Sequence, residues 1–289
     1  MLKYILLLIA PFSFGAIVDG EGVATLVEGD TKVFNGLVIS NLEKGSVFKA
    51  GNNLKTGDKS KAELFLSNGI RLVMLPNSSL VVKTLKQEEG SFIKPNPENK
   101  SVKESSPSIT DFEVESGKVI GDVKKLAPMS VFTMKTPVGV VKIKGTVFSV
   151  EYKVSKDGIA SFNVGCLMGR VVVEMADPRI PPVNVPAGKQ MAVSAPQGAM
   201  SQTGGDKPPQ GGGEASNKAP PMQVEVKSIP PMEMKEISVR MNAKQPPPPP
   251  PPSPNGPVKG QSPAALDRII QEVAQEVMEK QVDPSPTGG

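Results

Sequence analysis

Residues Thr56–Leu80 read TGDKSKAELFLSNGIRLVMLPNSSL, and the fold class turns on how their apolar positions are spaced. Leu64, Leu66, Ile70, Leu72, Met74, Leu80 and then Val82 recur at even intervals, with small polar residues between them. Even spacing keeps side chains on one face of a strand, whereas a helix repeats every 3.6 residues. Asn68-Gly69 interrupts the series with a dipeptide suited to positive φ, a strong hairpin signal. Apolar residues flank it in both parities, so the register stays open. The dipeptide either closes a hairpin or turns the corner of a solenoid.

The same pattern extends in both directions, from Gly20 to Ser194. Val23–Val27, Val131–Lys135, Val138–Ile143, Thr146–Tyr152, Ile159–Val164, Val171–Met175 and Gln190–Val193 are short apolar or alternating runs bounded by Gly, Asn, Asp and Pro. No stretch in this range keeps a helical period for three turns. The expectation is one all-β domain over residues 16–195, nearly free of helix, with short stacked strands in a β-solenoid or β-roll favoured over a sandwich. Residues 86–111 break the pattern with charged side chains and Pro95, Pro97 and Pro107, and read as a long exposed loop.

The flanks differ in character. At the start, Lys3 is followed by a short apolar run from Tyr4 to Phe14 and then by small residues. This is the layout of a signal peptide over residues 1–15 cleaved near Ala16; the run itself is too short to span a bilayer, and its extension through Ala16–Val18 leaves an uncleaved anchor as the alternative. After residue 195 come Pro- and Gly-rich segments, including the run Pro246–Pro252. Residues 196–261 therefore read as a linker that cannot bury enough apolar surface to fold, with alternation at Gln223–Val226 and Met232–Met241 leaving room for a partner-induced strand. Ser262-Pro263 opens an amphipathic helix over residues 262–283, with Leu266, Ile270, Val273 and Val277 on one stripe as a partner-docking face. Residues 284–289 are a disordered end.

Composition narrows the chemistry. Among 289 residues there is no His, no Trp and one Cys, and the formal charge is +4. Without imidazole, the Ser-His-Asp, Cys-His and HExxH arrangements are excluded. No run of Lys or Arg points to nucleic acid. Cys166 falls in the alternating series Phe162, Val164, Cys166, Met168, which puts its sulfur on a buried strand face. Ser91-Phe-Ile-Lys94 is formally an SxxK tetrad but lacks the accompanying motifs, and Met232 and Met234 form an isolated MxM. The reading assigns no catalytic, cofactor or metal-binding residues. No apolar run of spanning length follows the first segment.

Four segments in order, Thr56–Leu80, VESGKV (Val114–Val119), TPVGVVKIKGTVFSV (Thr136–Val150) and VNVPAGKQ (Val183–Gln190), resemble the FecR domain over roughly residues 20–195. The most specific piece, Gly145-Thr146-Val147-Phe148, is similar to the family's GTxF element, and Gly169-Arg170-Val171 to its GxV element. Gly69, Gly117, Thr136, Pro137, Gly145, Thr146, Phe148, Gly169 and Gly188 are the motif positions, all with structural roles. The resemblance implies a periplasmic or envelope address and protein partners in the envelope. The family's named member couples an outer-membrane transporter to a sigma factor through a membrane helix that this sequence replaces at its start. Residues and resemblance together point to a non-enzymatic envelope binding or scaffold module that presents a β domain and a tail helix to protein partners. A diverged component of envelope signalling related to sigma-factor regulation is the alternative.

Overall fold

The computed structural model describes residues 15–96, 98–196 and 224–241. The expected signal peptide over 1–15, all but Gly15 of it, and the expected tail helix over 262–283 lie outside them. The strands are β1 (Ile17–Asp19), β2 (Gly22–Glu28), β3 (Thr31–Asn35), β4 (Val38–Asn41), β5 (Val47–Phe48), β6 (Asn52–Thr56), β7 (Lys61–Leu66), β8 (Arg71–Met74) and β9 (Ser79–Glu88). They continue with β10 (Ser108–Asp122), β11 (Val131–Thr136), β12 (Gly139–Ile143), β13 (Val147–Val154), β14 (Ile159–Met168), β15 (Arg170–Met175), β16 (Val183–Pro186), β17 (Lys189–Pro196) and β18 (Val224–Ser228). A helix, α1 (Pro231–Met241), follows. The protein is all-β, as the spacing in Thr56–Leu80 requires.

Strand pairing sorts these elements into two sheets. The first runs β4-β3-β6-β9-β10-β11-β12-β15-β16, with β1 beside the far end of β9. The second runs β5-β2-β7-β8-β10-β13-β14-β17-β18. Among the described residues only β10 and β11 pair in parallel. Asn68-Gly69 closes the β7–β8 hairpin, with Leu64 opposite Leu72.

The strand β10 belongs to both sheets. Residues 108–116 pair with β9 in the first sheet, and 117–122 pair with β8 and β13 in the second. The change of sheet falls at Gly117, whose φ is 83°. A Cβ there would stand 2.4 Å from Ser78 Cα and 2.6 Å from Asn77 O, so the crossing requires both the left-handed backbone and the missing side chain.

One core lies between the facing sheets. Leu54, Leu80, Val82, Phe112, Phe132 and Met134 enter it from the first sheet, and Leu64, Leu66, Leu72, Phe148, Phe162 and Val164 from the second. With no Trp, phenylalanines supply the aromatic volume: Phe132 meets Phe112 edge-on at 6.2 Å and Phe148 at 5.9 Å.

Two expectations need correction. The segment read as linker over 196–261 contains folded structure: β18 adds to the β17 edge, and α1 covers the outer face of the second sheet. Met234, Ile237 and Met241 face Val73, Leu75, Ile120, Val147 and Leu167 there. These helical residues sit at i, i+3 and i+7, while Met232 with Met234, and Ile237 with Val239 and Met241, form two short period-2 runs that imitate strands. Pro231 at the first helical position, Glu233 in the first turn and Arg240 in the last turn favour the helix.

The second correction concerns residues 86–111, which are not an exposed loop throughout. β9 continues to Glu88 and β10 begins at Ser108, and between them Ser101 and Glu104 are buried. The Glu104 carboxyl accepts from the hydroxyls of Ser108 and Ser130 and, at 2.8 Å, from the Ala127 amide. Asn68 donates to Ser108 at 3.0 Å and Thr110 at 2.9 Å. The loop is thus fastened to the β7–β8 turn and to β10 by a buried polar network, which makes its burial affordable.

Candidate functional site

The motif positions converge on structural joints. In β13, Phe148 is fully buried, and its ring lies over Gly121 of β10, where a Cβ would come within 2.3 Å of it. Gly169, between β14 and β15, has φ 86° and backs onto the preceding joint: an added Cβ would stand 2.7 Å from Gly145 O and 2.8 Å from Thr146 Cγ2. The two motif pieces therefore touch although more than twenty residues separate them in sequence. Thr136 and Pro137 form the β11–β12 turn, where the Thr136 hydroxyl donates to Gly139 O at 3.1 Å. Gly69 lies against the 89–107 loop and accepts the Val102 amide at 2.8 Å, while Gly188 turns β16 into β17 with open space around it.

An open groove of about 830 Å³ separates α1 from the β7–β8 hairpin and the loop. Lys61, Glu63 and Arg71 form its floor, Glu98 and Asn99 one wall, and Met232, Lys235 and Val239 the helical wall. Glu63 is the centre of its electrostatics. Its carboxyl accepts from Arg71 Nη2 at 2.7 Å and Asn99 Nδ2 at 2.9 Å, and Lys61 lies 3.2 Å away. Burial pushes its pKa up, but the bonds and charges of Arg71 and Lys61 outweigh that and hold it below the ordinary value. Arg71 also reaches Met241 Sδ at 3.6 Å, and Lys118 pairs with Glu233 at 2.7 Å, so α1 is seated by charge as well as by its apolar face.

Most of the groove's charges are already paired, Lys235 being the exception among its described residues, and its outer lip carries Met232 and Val239, 87% and 66% exposed. Such a surface offers apolar contact and charge recognition. Glu63, engaged by three donors, is poorly placed to take a proton from a substrate.

Of the reactive candidates from the sequence, Cys166 and Ser91 stand apart from the groove and only Met232 reaches its lip. Cys166 is fully buried in the core, and burial raises its thiol to about 12. Ser91 donates its hydroxyl to Glu88 O at 2.5 Å and accepts from Gln87 Nε2 at 3.1 Å. Met232 is exposed while Met234 packs under the helix, so the MxM sulfurs face different ways.

Residues 52–172 match the FecR protein family. Residues 52–172 form a FecR domain. The match spans β6 to β15 and includes every motif position except Gly188 in VNVPAGKQ, so it is narrower than the 20–195 range of the resemblance. Two crystal structures of a candidate anti-sigma factor from Parabacteroides distasonis are similar at 14% identity, with TM-scores of 0.37 and 0.38. Each alignment covers 61% of this chain and 59% of that protein, so the chain spans under two thirds of its length. No curated protein matches.

The groove was not legible in the sequence. Arg71 and Glu63 bracket the Asn68-Gly69 turn and are visible as an opposite-charged pair across a hairpin. The helical wall was hidden by the double periodicity of Met232–Met241. The β18 strand and α1 lie outside the family match, so the groove joins the FecR domain to a segment appended to it.

Proposed function

We propose that the chain is a non-enzymatic binding module of the periplasm or cell envelope, in which the FecR domain and its appended helix present a docking surface to a protein partner. The observation that carries this reading is the groove. Its charged floor and exposed Met232 and Val239 are suited to a protein surface with an apolar anchor and a polar rim. The expected tail helix, with Leu266, Ile270, Val273 and Val277, is the proposed second contact to an envelope protein, tethered through the Pro-rich segment. Export with cleavage near Ala16 supplies the address.

The test compares wild type with the variant Met232→Glu/Val239→Glu in capture from envelope extracts, with melting temperature as control. A partner retained by wild type and lost by the variant at unchanged melting temperature is the expected result. Equal capture by both refutes the groove as the docking surface. A component of envelope signalling related to sigma-factor regulation is the second reading, favoured by the FecR match itself. A sigma factor or outer-membrane transporter encoded beside this chain supports it.

A further inference from the structure

Each sheet has two outer strands, and an unpaired strand edge invites another chain unless it is short, charged or interrupted by proline. Besides β1, a three-residue strand beside β9, the described sheets end on four strands, and three of these are blunted in this way. β5 has only Val47 and Phe48. β16 ends on Pro186 and is preceded by Pro181 and Pro182. β18 is largely exposed and places Glu225 and Lys227 along its length.

β4 has none of these devices. Among the described residues it pairs only with β3, and every one of its residues is exposed. The hairpin carries three consecutive aliphatic residues in the open: Leu37, Val38 and Ile39 are 101%, 67% and 59% exposed. Ile39 sits opposite Phe34 of β3, so the outer side of the hairpin is apolar as well. From Val33 to Leu42 the chain has no charged residue.

We propose that β4 is a self-association edge, pairing antiparallel with β4 of a second copy about a two-fold axis so that the first sheets of two molecules become continuous. Charge balance selects this occupant. In a two-fold pairing each residue faces its own strand, and an uncharged strand is one that meets itself without like-charge repulsion. A charged peptide finds no complementary charge along the strand. Antiparallel pairing about an axis at Ile39 supplies main-chain hydrogen bonds for β4, sets Ile39 against its own counterpart and covers Val38 with the strand of the second copy.

Sedimentation of the purified chain over a concentration series tests this, with Ile39→Lys on the β4 edge and Val226→Lys on the β18 edge as variants. The expected result is a concentration-dependent dimer for wild type and Val226→Lys, and a monomer for Ile39→Lys with an unchanged melting temperature. Ile39→Cys provides a second readout: because Cys166 is buried, mild oxidation should give a disulfide dimer through position 39 alone. A wild-type monomer at every concentration, or a dimer that survives Ile39→Lys, overturns the proposal. Vesicle binding by a monomeric wild type, lost in Ile39→Lys, overturns it in favour of a membrane contact. The test does not involve Met232 or Val239, so it stands or falls separately from the groove.

Discussion

Replacing Phe148 by alanine removes a ring that is fully buried, stacked edge-on to Phe132 at 5.9 Å and seated over the bare backbone of Gly121. The lost burial and the cavity left behind together cost about 4 kcal/mol, within the range for Phe→Ala in cores. For a domain of this size, each kcal/mol lowers the melting temperature by about 2–4 °C, so the expected fall is about 8–16 °C. The neighbouring glycine provides an internal check. Gly121→Ala alone places a methyl within 2.3 Å of the ring and should destabilise by about 1–3 kcal/mol. In the Phe148→Ala background the same methyl enters vacated space, so the double variant should be at least about 1 kcal/mol more stable than the sum of the singles predicts. Denaturant titration of the four proteins measures this coupling. Additive effects, or a Phe148→Ala protein that keeps its melting temperature while losing a partner, would refute the assignment of GTxF as a packing joint.

Two further outcomes follow from the polar groups. Glu63 has a folded-state pKa below its unfolded value, so its contribution to stability is full above the ordinary carboxylate range and is lost as the pH falls through the lowered value. The gap in melting temperature between wild type and Glu63→Gln should therefore be present at neutral pH and close below about pH 4, and a gap that persists in acid would show that Arg71 and Lys61 do not control this carboxyl. Glu104→Ala strips an acceptor from two hydroxyls and the Ala127 amide. It should cost on the order of 3 kcal/mol and speed proteolysis within residues 89–107; a resistant loop would mean that the network does not hold it.

The sequence made the strands legible because alternation and burial coincide along most of them. Leu64, Leu66, Ile70, Leu72, Met74, Leu80 and Val82 are all buried, and Cys166 faces the core as its parity requires. Met168, in the same series, is exposed because the β13–β14 pairing shifts between Val147 and Phe148, a bulge that alternation cannot register. The loop's burial was illegible for a different reason. Charged residues normally mark solvent, and Glu104 is buried because Ser108 nearby and Ser130, brought in from elsewhere in the chain, supply hydroxyls. The α1 wall of the groove depends on which of two overlapping periods wins, and the apolar outer face of the second sheet decides it.

The passage of β10 from one sheet to the other has a mechanical consequence. Sheets joined only by side-chain packing can slide past each other, since packing resists shear weakly. Here a single backbone, hydrogen-bonded to β9 on one side of Gly117 and to β8 and β13 on the other, carries tension across the core as a covalent tie. A pull applied to either sheet reaches the other through that tie, and separating them means tearing hydrogen bonds from β10.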